Sequence, residues 1–75
     1  MNELLEILSE VKPGVDFESE TALVDDAILD SLDIISIISE VSDEFDVRIS
    51  PEDIIPENFN SAEAMWSLIS ELMED

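Results

Sequence analysis

Twenty-one carboxylates against two cationic side chains, Lys12 and Arg48, give this 75-residue chain a net charge of −19. Any compact state must therefore keep its acids on the surface and form against its own repulsion. Such a charge would by itself favour disorder, but an apolar fraction of 45% is enough for a globule, so the placement of the apolar residues decides the matter. A chain of this size builds one modest core, and a single domain over residues 1–75 is expected. There is no cysteine to cross-link it and no Cys/His set to hold a structural zinc. Stability is expected to be marginal.

The same imbalance limits the partners. A nucleic-acid backbone requires a Lys/Arg footprint, and an anionic membrane surface would repel this chain. Proteins with basic patches fit better, because opposite potentials steer encounter. The start, Met1-Asn2-Glu3, has no basic region, and the apolar run from Ile34 to Ile38 is short and broken by Ser36. Neither a signal peptide nor membrane insertion is expected, and a cytoplasmic monomer is the simplest expectation.

Leu4, Ile7, Leu8 and Val11 recur at spacings of three and four from about Glu3 to Val11, the pattern of one buried helical stripe, and Lys12-Pro13-Gly14 then ends the helix. Residues 13–30 keep no period, although Val15, Phe17, Leu23, Val24, Ile28 and Leu29 lie among them. This predicts a long ordered loop packed across the helices. A second helix is expected over about Ser31–Asp46, with Ile34, Ile38, Val41 and Phe45 in a narrow core-facing stripe.

Val47-Arg48-Ile49 then reads as an extended connector, and Ser50-Pro51 as the capped start of a short helix that runs through Ile55 and is ended by Pro56. Asn60-Ser61-Ala62-Glu63 reads as a capping box with Asn60 as the cap, opening a last helix that buries Ala62, Met65, Trp66, Ile69 and Leu72. No strand period appears. The expected fold class is all-α: a small bundle of three main helices plus one short helix, with a long loop between the first two helices.

An enzyme of its own lacks material. Histidine and cysteine are both absent, which removes the commonest general base, the best nucleophile and the usual transition-metal ligands. No cation stands near Ser31 in sequence to activate it, and no segment has the acidic, glycine-containing spacing of a calcium loop.

Asp30-Ser31-Leu32-Asp33 lies where the loop meets the amphipathic second helix. A helix start leaves amide N–H groups without intrahelical partners and carries partial positive charge, so a phosphodiester on the Ser31 hydroxyl would be tolerated there. Asp30 or Ser31 could equally serve only as a helix cap. Leu32 and Ile35 fall about 100–160° round the helix from Ile34, on the side of Ser39, Ser42, Asp43 and Asp46. An outward apolar pair beside a modifiable hydroxyl, with acids around it, matches a docking surface with an apolar centre and a charged rim.

With this helix order and the Asp-Ser-Leu motif at 30–32, the chain resembles the acyl carrier protein family over nearly its whole length. The resemblance implies an acyl-carrier-type bundle, and it implies that Ser31 receives 4′-phosphopantetheine from coenzyme A through a separate phosphopantetheinyl transferase. The protein itself would be non-catalytic, carrying acyl or aminoacyl groups as thioesters on the arm. Asp30 would help the transferase and its magnesium engage, Leu32 would be the adjacent recognition contact, and Asp33, Ile35 and Asp43 would complete the partner-facing set.

Loading ligases, acyltransferases or synthases with basic docking patches would be the other partners, in a fatty-acid, polyketide, nonribosomal-peptide or D-alanylation type pathway. Ile28-Leu29 stands where the family commonly has Gly-Ala or Gly-Leu, and Ser36 and Ser42 stand where fatty-acid carriers often have Glu. Together with the stretch from Pro51 to Phe59, these features look more like stand-alone carriers served by adenylating ligases, including D-alanyl carriers. A fatty chain could enter an aliphatic lining of Ile34, Ile38, Val41, Ile49, Ile54, Phe59 and Ile69. The competing expectation is an acidic nucleic-acid mimic without a prosthetic group, for which Ser31 would be dispensable.

Overall fold

The computed structural model describes residues 2–74; Met1 and Asp75, the ends of the expected domain, lie outside them. Helix α1 (Asn2–Val11) buries Leu4, Ile7 and Leu8 as its spacing predicts, whereas Val11, expected in the same stripe, lies at the helix end and is only partly covered. The Lys12 amide still donates to the Leu8 carbonyl (2.9 Å), after which Pro13 and Gly14 turn the chain away. Gly14 sits at φ +89°, where a side chain would be strained.

The remaining elements are α2 (Ser31–Phe45), a 3₁₀ turn (Pro51–Asp53), α3 (Pro56–Phe59) and α4 (Ala62–Met73). No strand occurs among the described residues. The fold is therefore the expected all-α bundle, with α1, α2 and α4 as its main helices. Helix α1 packs against both α2 and α4, while α3 lies on α4.

The long loop is an ordered part of the core. Phe17, Leu23 and Leu29 are buried with the helical residues. Within the loop the Leu23 carbonyl accepts from the amides of both Ile28 and Leu29 (2.9 Å each), and Ala27 adopts a left-handed φ of 58° to close that turn. Asn60 anchors the loop from across the molecule. Its carbonyl accepts from the Leu23 amide (2.8 Å), and its Oδ1 accepts from the amides of Val24 (3.0 Å) and Asp25 (3.1 Å).

That use of Asn60 corrects the capping assignment. The cap of α4 is Ser61, whose side chain accepts from the Ala64 amide at 3.0 Å. Ser61 has the extended backbone that a cap requires (φ −147°, ψ 158°), whereas Asn60 keeps helical backbone as the C-terminal cap that follows Phe59 of α3. The expected short helix through Ile55 is also corrected. Proline forces the residue before it out of the helical region, and Ile55 is accordingly extended at φ −123°, ψ 153°. The first piece thus stops at Asp53, and Pro56 starts α3 instead of ending a helix, because a first-turn proline needs no amide donor. Ser50 makes no side-chain capping bond.

Two core expectations shift as well. Helix α2 buries Ile37 and Val41 most deeply, while Ile34, Ile38 and Phe45 are only partly covered. The core-facing stripe is therefore turned towards Ile37, which lines a small inner space with Phe59 and the α4 residues Met65, Leu68 and Ile69. On α4, Leu68 is buried, whereas Trp66 and Leu72 are only partly covered. The Trp66 ring meets Phe45 edge-to-face at 5.6 Å and closes the far end of α2.

Among the described residues no charged or polar side chain is buried, so the whole charge lies on a body of about 31 × 23 × 20 Å. At about 0.01 M salt the Debye length is roughly 30 Å, so every carboxylate feels the others; near 1 M it falls to about 3 Å. The melting temperature is therefore expected to rise by several degrees between those conditions, each kcal/mol recovered corresponding to about 4–8 °C. Calorimetry across a salt series checks this, and a salt-independent melt contradicts it.

Candidate functional site

Helix α2 begins with a reciprocal cap built from two aspartates. Asp30, extended at φ −101°, ψ −177°, accepts from the Asp33 amide through Oδ1 (2.9 Å), and the Asp30 amide donates back to Asp33 Oδ2 (3.2 Å). The Ile34 amide donates to the Asp30 carbonyl at 3.0 Å. Of the first-turn amides, those of Ser31 and Leu32 have no acceptor within the helix. Asp30 thus serves as a helix cap.

A cation reaches this start from elsewhere in the sequence. Lys12 Nζ lies 3.1 Å from Asp33 Oδ2, the same oxygen that receives the Asp30 amide. The amide of Asp30 holds the Asp33 carboxyl below its ordinary range; partial burial opposes this and the neighbouring Lys12 ammonium adds to it.

Ser31 is the first residue of α2 and is exposed. Beside it Leu32 is 74% exposed and Ile35 61% exposed, the outward pair expected from the helical angles. Asp43 is exposed on the same helix but ten residues beyond Asp33, about 15 Å along the axis. Asp30, Ser31, Leu32, Asp33 and Ile35 are therefore brought together, and Asp43 stands apart from them. An open apolar cleft of about 230 Å³ runs from Ser31 past Ile34, Ile35 and Ile38 to Ile54.

The aliphatic lining expected for a buried chain is split between two places. Ile34, Ile38 and Ile54 belong to this outer cleft, whereas Val41, Ile49, Phe59 and Ile69 surround an inner space of only about 10 Å³ with Ile37, Met65 and Leu68. A space of that size holds about one water molecule at most. A long chain could enter the interior only by forcing α2 away from the residues beyond it.

The model of the family described as the phosphopantetheine attachment site matches residues 2–69. The chain belongs to that family. No match was found among curated proteins or among solved structures. Members of the family carry a covalently attached 4′-phosphopantetheine prosthetic group. The start of α2 fits such a group: it offers an exposed hydroxyl, two first-turn amides without helical acceptors, open space and an apolar wall alongside. The match does not support the alternative of an acidic mimic without a prosthetic group. Among the described residues, no helix is long and apolar enough to cross a membrane, and no group of three or more acidic side chains is placed to hold a metal ion.

Sequence reasoning missed Lys12. It lies 21 residues from Asp33 in the chain, so no local pattern connects them. The available signal was its rarity: a lone cation just after the first helix, in a chain with 21 acids, must find a carboxylate somewhere.

Asp33 titrates below its ordinary value in the folded state, so its contribution to stability is present above the unfolded carboxylate range and is lost as pH falls through the folded value. Asp33→Asn is expected to be less stable than the parent at neutral pH, and the difference is expected to close as pH falls below about 4. Paired chemical-denaturation curves across pH check this; a difference that persists at low pH contradicts it.

Proposed function

We propose that this protein is an acyl carrier in which Ser31 bears the 4′-phosphopantetheine arm, and that residues 1–75 act as one carrier unit. The observation that supports this most directly is the exposed Ser31 hydroxyl on the first residue of α2, in a chain matched over residues 2–69 by the phosphopantetheine-attachment family. When bound, the arm supplies a thiol on which acyl or aminoacyl groups ride as thioesters.

In the modification, Ser31 Oγ forms a bond to the pantetheine-bearing phosphorus of coenzyme A. The pyrophosphate P–O bond breaks, the adenosine bisphosphate half leaves with its electrons, and the hydroxyl proton passes to a base. The chain has no histidine or cysteine to act as base, and the carboxylates nearest Ser31 in sequence, Asp30 and Asp33, are both engaged in the cap. A separate phosphopantetheinyl transferase supplies the base and the metal. Asp30 contributes negative charge towards the transferase's magnesium, and Leu32 and Ile35 form the apolar centre of the contact. Asp33 and Asp43 form its acidic rim.

The downstream partners are an acyl- or aminoacyl-adenylating ligase, as for D-alanyl and nonribosomal-peptide carriers, and acyltransferases or synthases with basic patches. This assignment rests on Ser36 and Ser42 on α2 and on the segment from Pro51 to Phe59. The carrier acts as a cytoplasmic monomer, where coenzyme A and its transferase are available.

Incubation with coenzyme A, magnesium and a broad-specificity transferase is expected to add one phosphopantetheinyl unit by intact mass, and Ser31→Ala is expected to add none. A wild-type mass that stays unaltered, or a variant that is still modified, refutes the attachment site. Leu32→Ser and Ile35→Ser are each expected to lower the kcat/KM of modification about tenfold, the scale of a modest loss of apolar burial. Their melting temperatures should stay close to the parent value, since both side chains are exposed. Unchanged kinetics would remove these two residues from the docking surface.

A further inference from the structure

We propose that Lys12 is a positioning residue for the modification of Ser31: through Asp33 it locks the two-aspartate cap and so holds the first turn of α2 in the form that the transferase engages. The inference rests on the reading of Ser31 as the attachment residue. Lys12 is one of two cations facing 21 carboxylates, and its pair with Asp33 is the one salt bridge among the described residues. Glu10 and Asp16 are nearer to it in sequence, yet the ammonium rests on a carboxylate 21 residues away. That carboxylate closes the cap.

The connection is mechanical. Asp33 Oδ2 receives both Lys12 Nζ at 3.1 Å and the Asp30 amide at 3.2 Å, while Asp30 Oδ1 receives the Asp33 amide at 2.9 Å. Removing the ammonium leaves two carboxylates in one turn, held together only by exposed amide bonds. Lys12 is itself fixed to the core, because its amide donates to Leu8, which is fully buried on α1. On the other side, Ser31 is preceded by loop. The Lys12 side chain is thus a tie between a rigid helix and the residue pair that brackets the hydroxyl.

The connection is also electrostatic. Attachment adds a phosphodiester charge beside Asp30 and Asp33 in a chain that already carries −19. An ammonium has three donors, and with the Lys12 side chain 40% exposed it can keep Asp33 as one acceptor and still face the new anion. A part-exposed ion pair contributes little to global stability. Its weight falls instead on how often the cap is closed, which is what a modifying enzyme samples.

The test measures transferase kinetics by intact mass, with hydrogen exchange of the backbone amides, on wild-type protein and five variants, Asp33→Asn among them. Lys12→Met is expected to lower the kcat/KM of modification about fivefold, the upper range for a part-exposed pair, and to speed exchange at Asp30 and Asp33 but not within α4. Lys12→Arg is expected to restore both. Arg48→Met makes the same change in net charge beyond the other end of α2 and is expected to react like the wild type. Lys12→Met combined with Asp33→Asn is expected to lose no more than Asp33→Asn alone, because Lys12 acts through Asp33.

Wild-type rates and exchange in Lys12→Met, an equal loss in Arg48→Met, or multiplied losses in the double variant overturn the proposal. If even the wild type gains no mass, the carrier reading itself has failed, and that result is distinct from wild-type modification with an indifferent Lys12.

Discussion

The exclusion of charge from the interior, complete among the described residues, is the constraint on which this structure depends. With 21 carboxylates and two cations, there are too few partners to bring acids inside as pairs, and an unpaired buried carboxylate would simply be protonated or prevent folding. The core is accordingly aliphatic and aromatic, built around Leu4, Leu8, Leu23, Ile37, Phe59 and Ile69. The loop contributes Phe17, Leu23 and Leu29, and this is why a segment without helical period is nevertheless ordered.

Loop order in turn determines where the candidate site stands. Asn60 receives three backbone amides from Leu23, Val24 and Asp25, so the loop is fixed against the α3–α4 junction a few residues before Ser31. Leu29 is then buried, Asp30 turns extended as the cap, and Ser31 emerges as the first helical residue. The hydroxyl is exposed because its neighbours on both sides are committed: Leu29 to the core and the Asp30–Asp33 pair to the helix start.

Features that depend on local spacing were legible in the sequence. The stripe Leu4-Ile7-Leu8, the stop at Lys12-Pro13-Gly14, the start of α2 at Ser31 and the outward pair Leu32 and Ile35 all follow from helical angles and capping chemistry. Features that depend on competition between neighbours were not. Ser61 and Asn60 are both good caps, and tertiary bonds to the loop drew Asn60 away. Pro56 can end one helix or start another, and the extended backbone it imposes on Ile55 made it a start. Ile37 and Ile34 differ by only about 60° around the helix, too little for periodicity to say which would be the more deeply buried. Lys12 belongs to a third kind, a contact that exists only once the fold has brought distant residues together.

The start of α2 combines stability and reactivity in one turn. A strong cap wants acids at Asp30 and Asp33, because they satisfy amides and favour the positive end of the helix. The phosphodiester proposed for Ser31 would favour the opposite, since those acids repel it. The conflict is eased by geometry rather than by changing residues: both carboxylates are turned onto backbone amides, and one of them carries the nearby ammonium. The acids still oriented to solvent, such as Asp43, lie further along the helix, where they can attract a basic partner without crowding the hydroxyl. On the proposed attachment at Ser31, a chain this acidic can present a site for a further anion because the negative charge nearest to it is already engaged by hydrogen bonds.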